Sequence, residues 1–181
     1  MGIVAVVSSP EKNGNTDAVV NRIAESARAN GKDVQVFYLN PMGNRKGCQA
    51  CFACKAKGRC VQKDDLTPVL DAIREAEGII LSTPVYFGEA CGQYRLLEDR
   101  FFSFLDGTFA LNISEGKKVA IVTAAGSEGA DKLADKIEGV MVNYFKCQSV
   151  GKIAFSTGND KGYAAANTDI MAQADAIGKR F

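Results

Sequence analysis

The chain has 181 residues, 22 basic against 21 acidic, and no histidine. A near-neutral balance argues against nucleic acid or an anionic membrane as the main partner. The lack of histidine excludes Ser-His-Asp and Cys-His catalysis and histidine metal ligands, so an enzyme of this composition is expected to draw its chemistry from a cofactor. The length suits one domain over residues 1–181. No apolar run approaches the ~20 residues of a bilayer span. The first residues lack the basic-then-apolar order of a signal peptide. The expected location is therefore the cytoplasm, where cysteines stay reduced.

Strand and helix patterns alternate along the chain. Ile3 to Val7 is a continuous apolar run, as a strand covered on both faces requires. Asn15 or Thr16 is expected to cap a helix with apolar positions Val19, Val20, Ile23, Ala24 and Ala27, ending near Gly31. Val34 to Leu39 reads as the second strand. Pro41 to Asp64 then has no clear periodicity, and so long an irregular segment calls for another organiser or a function. Asp65 or Thr67 should cap the next helix, with Pro68 in its first turn and Leu70, Ile73 and Ala76 on one side. Ile79 to Thr83 is the third strand. A helix from Gly92 to Leu105 carries Leu97, Phe101 and Phe104. Val119 to Thr123 is the fourth strand, and Leu133, Ile137, Val140, Met141, Tyr144 and Phe145 mark the next helix. Val150 to Phe155 is the fifth strand, and Ile170, Met171, Ala174 and Ile177 mark the last helix. This alternation predicts an α/β fold: a flavodoxin-like, doubly wound, five-stranded parallel sheet of order 2-1-3-4-5.

The irregular segment holds Cys48, Cys51, Cys54 and Cys60 in the spacing C-x2-C-x2-C-x5-C. Soft thiolates suit iron, and the first three cysteines share the bacterial ferredoxin spacing, although the fourth does not. Arg45, Lys46, Lys55, Lys57, Arg59 and Lys63 flank or interrupt the run, with no Asp or Glu among them. Positive charge favours thiolates and offsets the negative charge of a thiolate-bound cluster. Zinc, a pair of disulfides, or free thiols in a solvated basic loop are the alternatives. Cys91 and Cys147 lie outside the run and read as structural thiols.

In such a sheet a ligand sits beyond the carboxyl ends of the strands, at the switch point between strands one and three. Three loops reach that place. Ser8 to Thr16 supplies hydroxyls, amides and backbone N–H groups at a helix start, a combination that binds phosphate. It carries neither the dinucleotide nor the triphosphate fingerprint. Thr83 to Gly88 offers a proline-stiffened turn with two aromatics, able to lie against a flat ring. Ala124 to Gly129 is small and glycine-rich, which lets a planar group approach the backbone.

Ser8-Ser9-Pro10, Lys12-Asn13-Gly14-Asn15-Thr16, the cysteine run ending in Asp64-Asp65, Thr83 to Gly88 and Leu97-Glu98-Asp99-Arg100 together resemble the NADPH-dependent FMN reductase-like flavoproteins. Within that group the compact cysteine run is similar to the iron–sulfur flavoproteins. The resemblance covers about the first 130 residues in order. It implies a flavodoxin-like fold, bound FMN and a homodimer or homotetramer. It implies that Ser9, Lys12, Asn13, Asn15 and Thr16 hold the phosphate. Pro84, Val85, Tyr86, Phe87 and Gly88 would line the ribityl chain and ring, with Thr123, Ala124 and Gly126 near the pyrimidine side. The expected function is electron exchange between FMN and a [4Fe-4S] cluster on the four cysteines. NAD(P)H or a ferredoxin-type protein would be the donor, and a small molecule the acceptor. A cluster-free NAD(P)H-dependent FMN or quinone reductase is the alternative, and a non-catalytic flavodoxin-like carrier a second. Aromatic side chains in the 87–104 segment, Tyr94 and Phe102 among them, exceed what one helix face buries and suggest a subunit interface.

Overall fold

A computed structural model describes residues 2–181. In chain order the elements are β1 (Ile3–Val7), α1 (Asn15–Ala29), β2 (Val34–Tyr38), α2 (Ala53–Lys57), α3 (Thr67–Glu75), β3 (Gly78–Tyr86) and β4 (Glu89–Ala90). There follow α4 (Gly92–Arg100), a 3-10 turn (Phe101–Phe104), β5 (Lys118–Ala125), α5 (Ala130–Asn143), β6 (Gln148–Ser156), α6 (Tyr163–Ala166) and α7 (Thr168–Gly178).

Parallel pairing gives the order β2-β1-β3-β5-β6. The parallel α/β architecture is as the alternation predicts, but the sheet has a sixth strand. β4 runs antiparallel to the end of β3, pairing Val85 with Ala90 and Tyr86 with Glu89. Two residues are too few to leave a periodic trace in the sequence.

Period-two geometry divides the strand side chains between two cores. Val4 and Val6, Ile79 and Leu81, and Val119 and Ile121 face a core shared with α3, α4 and α5. Ile3, Ala5 and Val7, with Ile80, Ala120 and Val122, face α1 and α7. Each fully buried Val, Leu or Ile contributes about 1.5–3 kcal/mol from area removed from water. Among the described residues no helix is long and apolar enough to cross a membrane.

Several local expectations are corrected. Neither Asn15 nor Thr16 caps α1: its N-cap is Gly14, without a side-chain bond. At α3 the cap position is Leu66, and it is the Asp64 carboxylate that accepts from the Leu66 N–H. The helix expected to reach Leu105 stops at Arg100 and tightens into the 3-10 turn. That geometry eclipses side chains three apart. It lets Phe101 and Phe104 stack at 5.3 Å, with the Phe145 ring edge-on to both. Tyr94 is fully buried and Phe102 lies under the Lys55 ammonium, so neither is a free aromatic face. Tyr144 is exposed rather than core. The segment 41–64 is not wholly irregular, since α2 carries Cys54.

α1 and α7 pack closely enough that Gly178 leaves no space for a side chain. A Cβ there would sit 2.6 Å from the Ile23 carbonyl oxygen and 2.5 Å from the Ser26 Cβ. Gly178→Ala should lower stability by about 1–3 kcal/mol through overpacking. Urea unfolding should show the midpoint falling at constant slope. An unchanged midpoint would mean that the helices separate at no cost.

Candidate functional site

A cleft of about 290 Å³ opens beyond the carboxyl ends of the parallel strands. Ser9, Asn15 and Thr16 line it from the β1–α1 loop and the first turn of α1. The first N–H groups of α1 have no intrahelical acceptor, and the helix dipole adds positive potential there. Pro84, Val85 and Tyr86 line it from the end of β3, and Ala124 and Gly126 from the β5–α5 connection. The remaining expected residues stand apart from this wall. Lys12 borders a neighbouring cavity with Tyr38, Asn40 and Pro41, its ammonium 5.9 Å from the Tyr38 ring centre. Asn13 and the Phe87-Gly88 turn do not border the cleft. Thr123 is buried beneath it, its hydroxyl donating to the Ala130 carbonyl.

The β1–α1 loop is braced from below. Asp17 is fully buried, and its carboxylate accepts from the Asn13 N–H at 2.7 Å, Asn21 Nδ2 at 2.7 Å and the Tyr38 hydroxyl at 3.0 Å. The first of these bonds holds Asn13 at φ 63°. Burial pushes the Tyr38 phenol above its ordinary value. Asn15 spends its side chain on the fold, donating to the Asp160 carbonyl at 2.6 Å and accepting from the Ala164 N–H at 2.8 Å. Ser8 is buried with an unpartnered hydroxyl at the start of the loop. A buried donor without a partner fits an anion bound at this helix start.

Sequence reasoning missed one whole wall. Thr157, Asn159, Asp160 and Lys161, after β6, line the cleft beside the first loop. Lys161 reaches Glu11 at 2.7 Å, which raises the lysine's pKa through that hydrogen bond and charge. Gly126 needs to be small because Asn159 Oδ1 occupies the place of a Cβ. Phe87 and Gly88 form the tight β3–β4 turn, both at positive φ, 54° and 81°. That pairing of signs suits a two-residue hairpin. It leaves Phe87 fully exposed and Tyr86 half exposed at the rim.

Cys48, Cys51, Cys54 and Cys60 line a second, small cavity together, on the flank of α4. This cavity shares no residue with the cleft. Among the described residues, no three His, Cys, Asp or Glu side chains are arranged to hold a single metal ion. All six cysteines are free thiols. Two cations pin the segment. Lys55 donates to the Phe102 and Leu105 carbonyls at 2.7 and 2.8 Å. Arg100 donates from Nε to Cys60 Sγ at 3.1 Å and from Nη1 to the Lys46 carbonyl at 3.0 Å. Nη1 also meets Asp64 Oδ2 at 2.8 Å, in an ion pair whose side chains are 1% and 4% exposed. Burial alone would raise the Asp64 carboxyl. The Arg100 bond and charge, with the N–H groups of Lys46 and Leu66, outweigh it and hold the group below its ordinary value.

A family profile for NADPH-dependent FMN reductases matches residues 1–162. The chain belongs to that family. An iron-sulfur flavoprotein of Archaeoglobus fulgidus is 38% identical over 100 residues, covering 55% of this chain and 48% of the relative. Another, from Methanocaldococcus jannaschii, is 32% identical over 126 residues, covering 67% of this chain and 62% of that one. The chain thus spans about half to two thirds of the length of these curated relatives. Among solved structures, a flavone reductase superposes with a TM-score of 0.70 at 17% identity, over 99% of this chain and 61% of that one. An NAD(P)H:quinone oxidoreductase of Methanothermobacter marburgensis gives 0.67 at 13% identity, over 99% and 96%. At these identities the likeness carries the flavodoxin-like fold of the family.

Thiol reactivity should reflect this placement. Cys48 and Cys51 are exposed while Cys91 and Cys147 are buried. Burial pushes the Cys147 thiol up to about 11. A thiol reagent at pH 8 should label Cys48 and Cys51 first and Cys147 only on unfolding. Peptide mapping reads the order, and early labelling of Cys147 would contradict it.

Proposed function

We propose that this chain is an FMN-dependent oxidoreductase that exchanges electrons between FMN and a [4Fe-4S] cluster on Cys48, Cys51, Cys54 and Cys60. The observation that carries the reading is the pairing of two sites in one chain. One is a cleft at a helix start beyond the strand ends; the other is a cavity walled by all four thiols of the run. A four-iron cluster gives each iron its own thiolate, so its ligands need not converge on one point. Arg100 lines the same cavity and carries a buried, unpartnered N–H, which fits a sulfur-rich acceptor.

FMN, when bound, handles electrons singly or in pairs, whereas a cluster passes one at a time. The protein's own part is to bind and orient. Ser9, Thr16 and the first N–H groups of α1 hold the phosphate, with the Ser8 hydroxyl available behind them. Pro84, Val85 and Tyr86 form a stiff edge for the ring, and Ala124 and Gly126 let it approach the backbone. Lys12, Asn13, Phe87, Gly88 and Thr123 act around this shell, shaping the loop, the rim and the floor. NAD(P)H or a ferredoxin-type protein is the proposed donor and a small molecule the acceptor. A homodimer or homotetramer would bring one chain's cysteine flank toward another's cleft, since the two cavities share no wall within one chain.

The second reading is a cluster-free NAD(P)H-dependent FMN or quinone reductase, favoured by the description of the matching family. Anaerobic purification separates the two. Equimolar FMN with about four iron and four sulfide per chain supports the first reading. Full FMN and NAD(P)H oxidation without iron or sulfide, after anaerobic reconstitution, supports the second. Protein that binds no FMN at all sinks both.

A further inference from the structure

We infer that Arg100 is a positioning residue of the cysteine site. It holds Cys60 through Nε and keeps Nη2 for a sulfur of the group the cysteines bind, raising that group's reduction potential. The inference rests on the cluster reading above.

A guanidinium has five N–H donors in a fixed planar fork. Here the fork is 1% exposed, and its partners are specific: Cys60 Sγ on Nε, with the Lys46 carbonyl and Asp64 on Nη1. Nη2 is buried and has no partner. Arg100 lines the four-thiol cavity, and Cys60 and Arg100 also border a smaller one with Thr67 and Asp71. Buried arginine donors are normally satisfied, so an orphan beside the Nε that holds Cys60 points to an acceptor that the protein atoms alone do not supply. Inorganic sulfide and ligating thiolate are acceptors of that kind.

Asp64 decides what Arg100 offers. The ion pair largely cancels the guanidinium's charge, so the site meets directed N–H groups rather than a bare cation. N–H donation to cluster sulfur favours the more electron-rich, reduced state, and such bonds are one of the protein's levers on the potential. The bland alternative is a purely structural clamp between the cysteine segment and α4. Lys55 already pins that segment to the Phe102 and Leu105 carbonyls, so the clamp does not depend on Arg100 alone.

Two measurements on the anaerobically reconstituted full chain test this. Arg100→Lys keeps a positive charge but loses the planar fork. It should retain wild-type FMN, iron and sulfide, yet show a lower cluster midpoint in a titration followed by electron paramagnetic resonance, with the FMN midpoint unmoved. An Arg59→Lys protein with 15N only in its arginine guanidinium groups should show an arginine-nitrogen hyperfine coupling in pulsed spectra of the reduced cluster, as wild type labelled in the same way should. An unchanged cluster midpoint at full iron content overturns the inference, and so does an absent coupling in either labelled protein. Where the Arg100→Lys variant does not fold or load iron, the labelled proteins decide alone. Wild-type protein without iron or sulfide overturns the cluster reading itself, a failure distinct from the other two.

Discussion

Replacing Arg100 with methionine should destabilise the iron-free protein by about 3–5 kcal/mol, because it strands a buried carboxylate. The Asp64 side chain is 4% exposed and takes its main compensation from Arg100 at 2.8 Å. Asp64→Asn should cost less, since a neutral amide tolerates burial better than an unpaired charge. Replacing both partners by apolar residues should recover much of the loss. The pH dependence has a fixed sign. The folded-state pKa of Asp64 lies below the ordinary 3.8. Its contribution is therefore fully present above about 4 and is lost as pH falls through the lower folded value. Urea unfolding between pH 7 and pH 2.5 should show a steeper acid loss for wild type than for Asp64→Asn. Parallel curves would show that the pair contributes no proton linkage, and an Arg100→Met protein as stable as wild type would refute the buried-pair account.

Thr16→Val should weaken FMN binding by about 1–3 kcal/mol, roughly 5- to 150-fold in Kd. Thr16 is 2% exposed, stands in the first turn of α1 and lines the cleft. Valine keeps its volume and branching but removes the hydroxyl, so a charged phosphate would lose a donor in a desolvated place. Flavin-fluorescence titration of the apoprotein reads the affinity directly, and far-ultraviolet circular dichroism checks the fold. An unchanged Kd with intact fold would remove Thr16 from the phosphate shell. The same titration on Glu11→Gln should show FMN bound more tightly at low salt. That change removes a carboxylate from the cleft and frees Lys161, now paired with it at 2.7 Å.

Much of the architecture is written locally. Ile3 to Val7 reads as a buried strand because it is apolar at every position, and all five residues are buried. The helical stripes of α1 and α7 face the core that their spacing predicts. The first loop is legible because its residue types and its place after the first strand carry the same chemistry. Asp17 was not legible in the same way. It reads as an ordinary first-turn acid, yet it is fully buried and holds Asn13, Asn21 and Tyr38. Nothing local separates a carboxylate that solvates a helix end from one that braces a loop beneath it.

The parallel α/β class and the cysteine spacing are set by the sequence alone. Each depends on residues adjacent in the chain or on simple periodicity. That Thr157, Asn159 and Lys161 complete the cleft follows from the fold, because β6 lies beside β5. The fold likewise brings Phe101 and Phe104 onto Phe145 through the 3-10 turn, and makes Tyr94 core. Arg100 and Asp64 lie 36 residues apart and read separately as surface charges. The packing of the cysteine segment on α4 takes both out of water, and their desolvation, invisible in either local sequence, makes the pair a feature of the site.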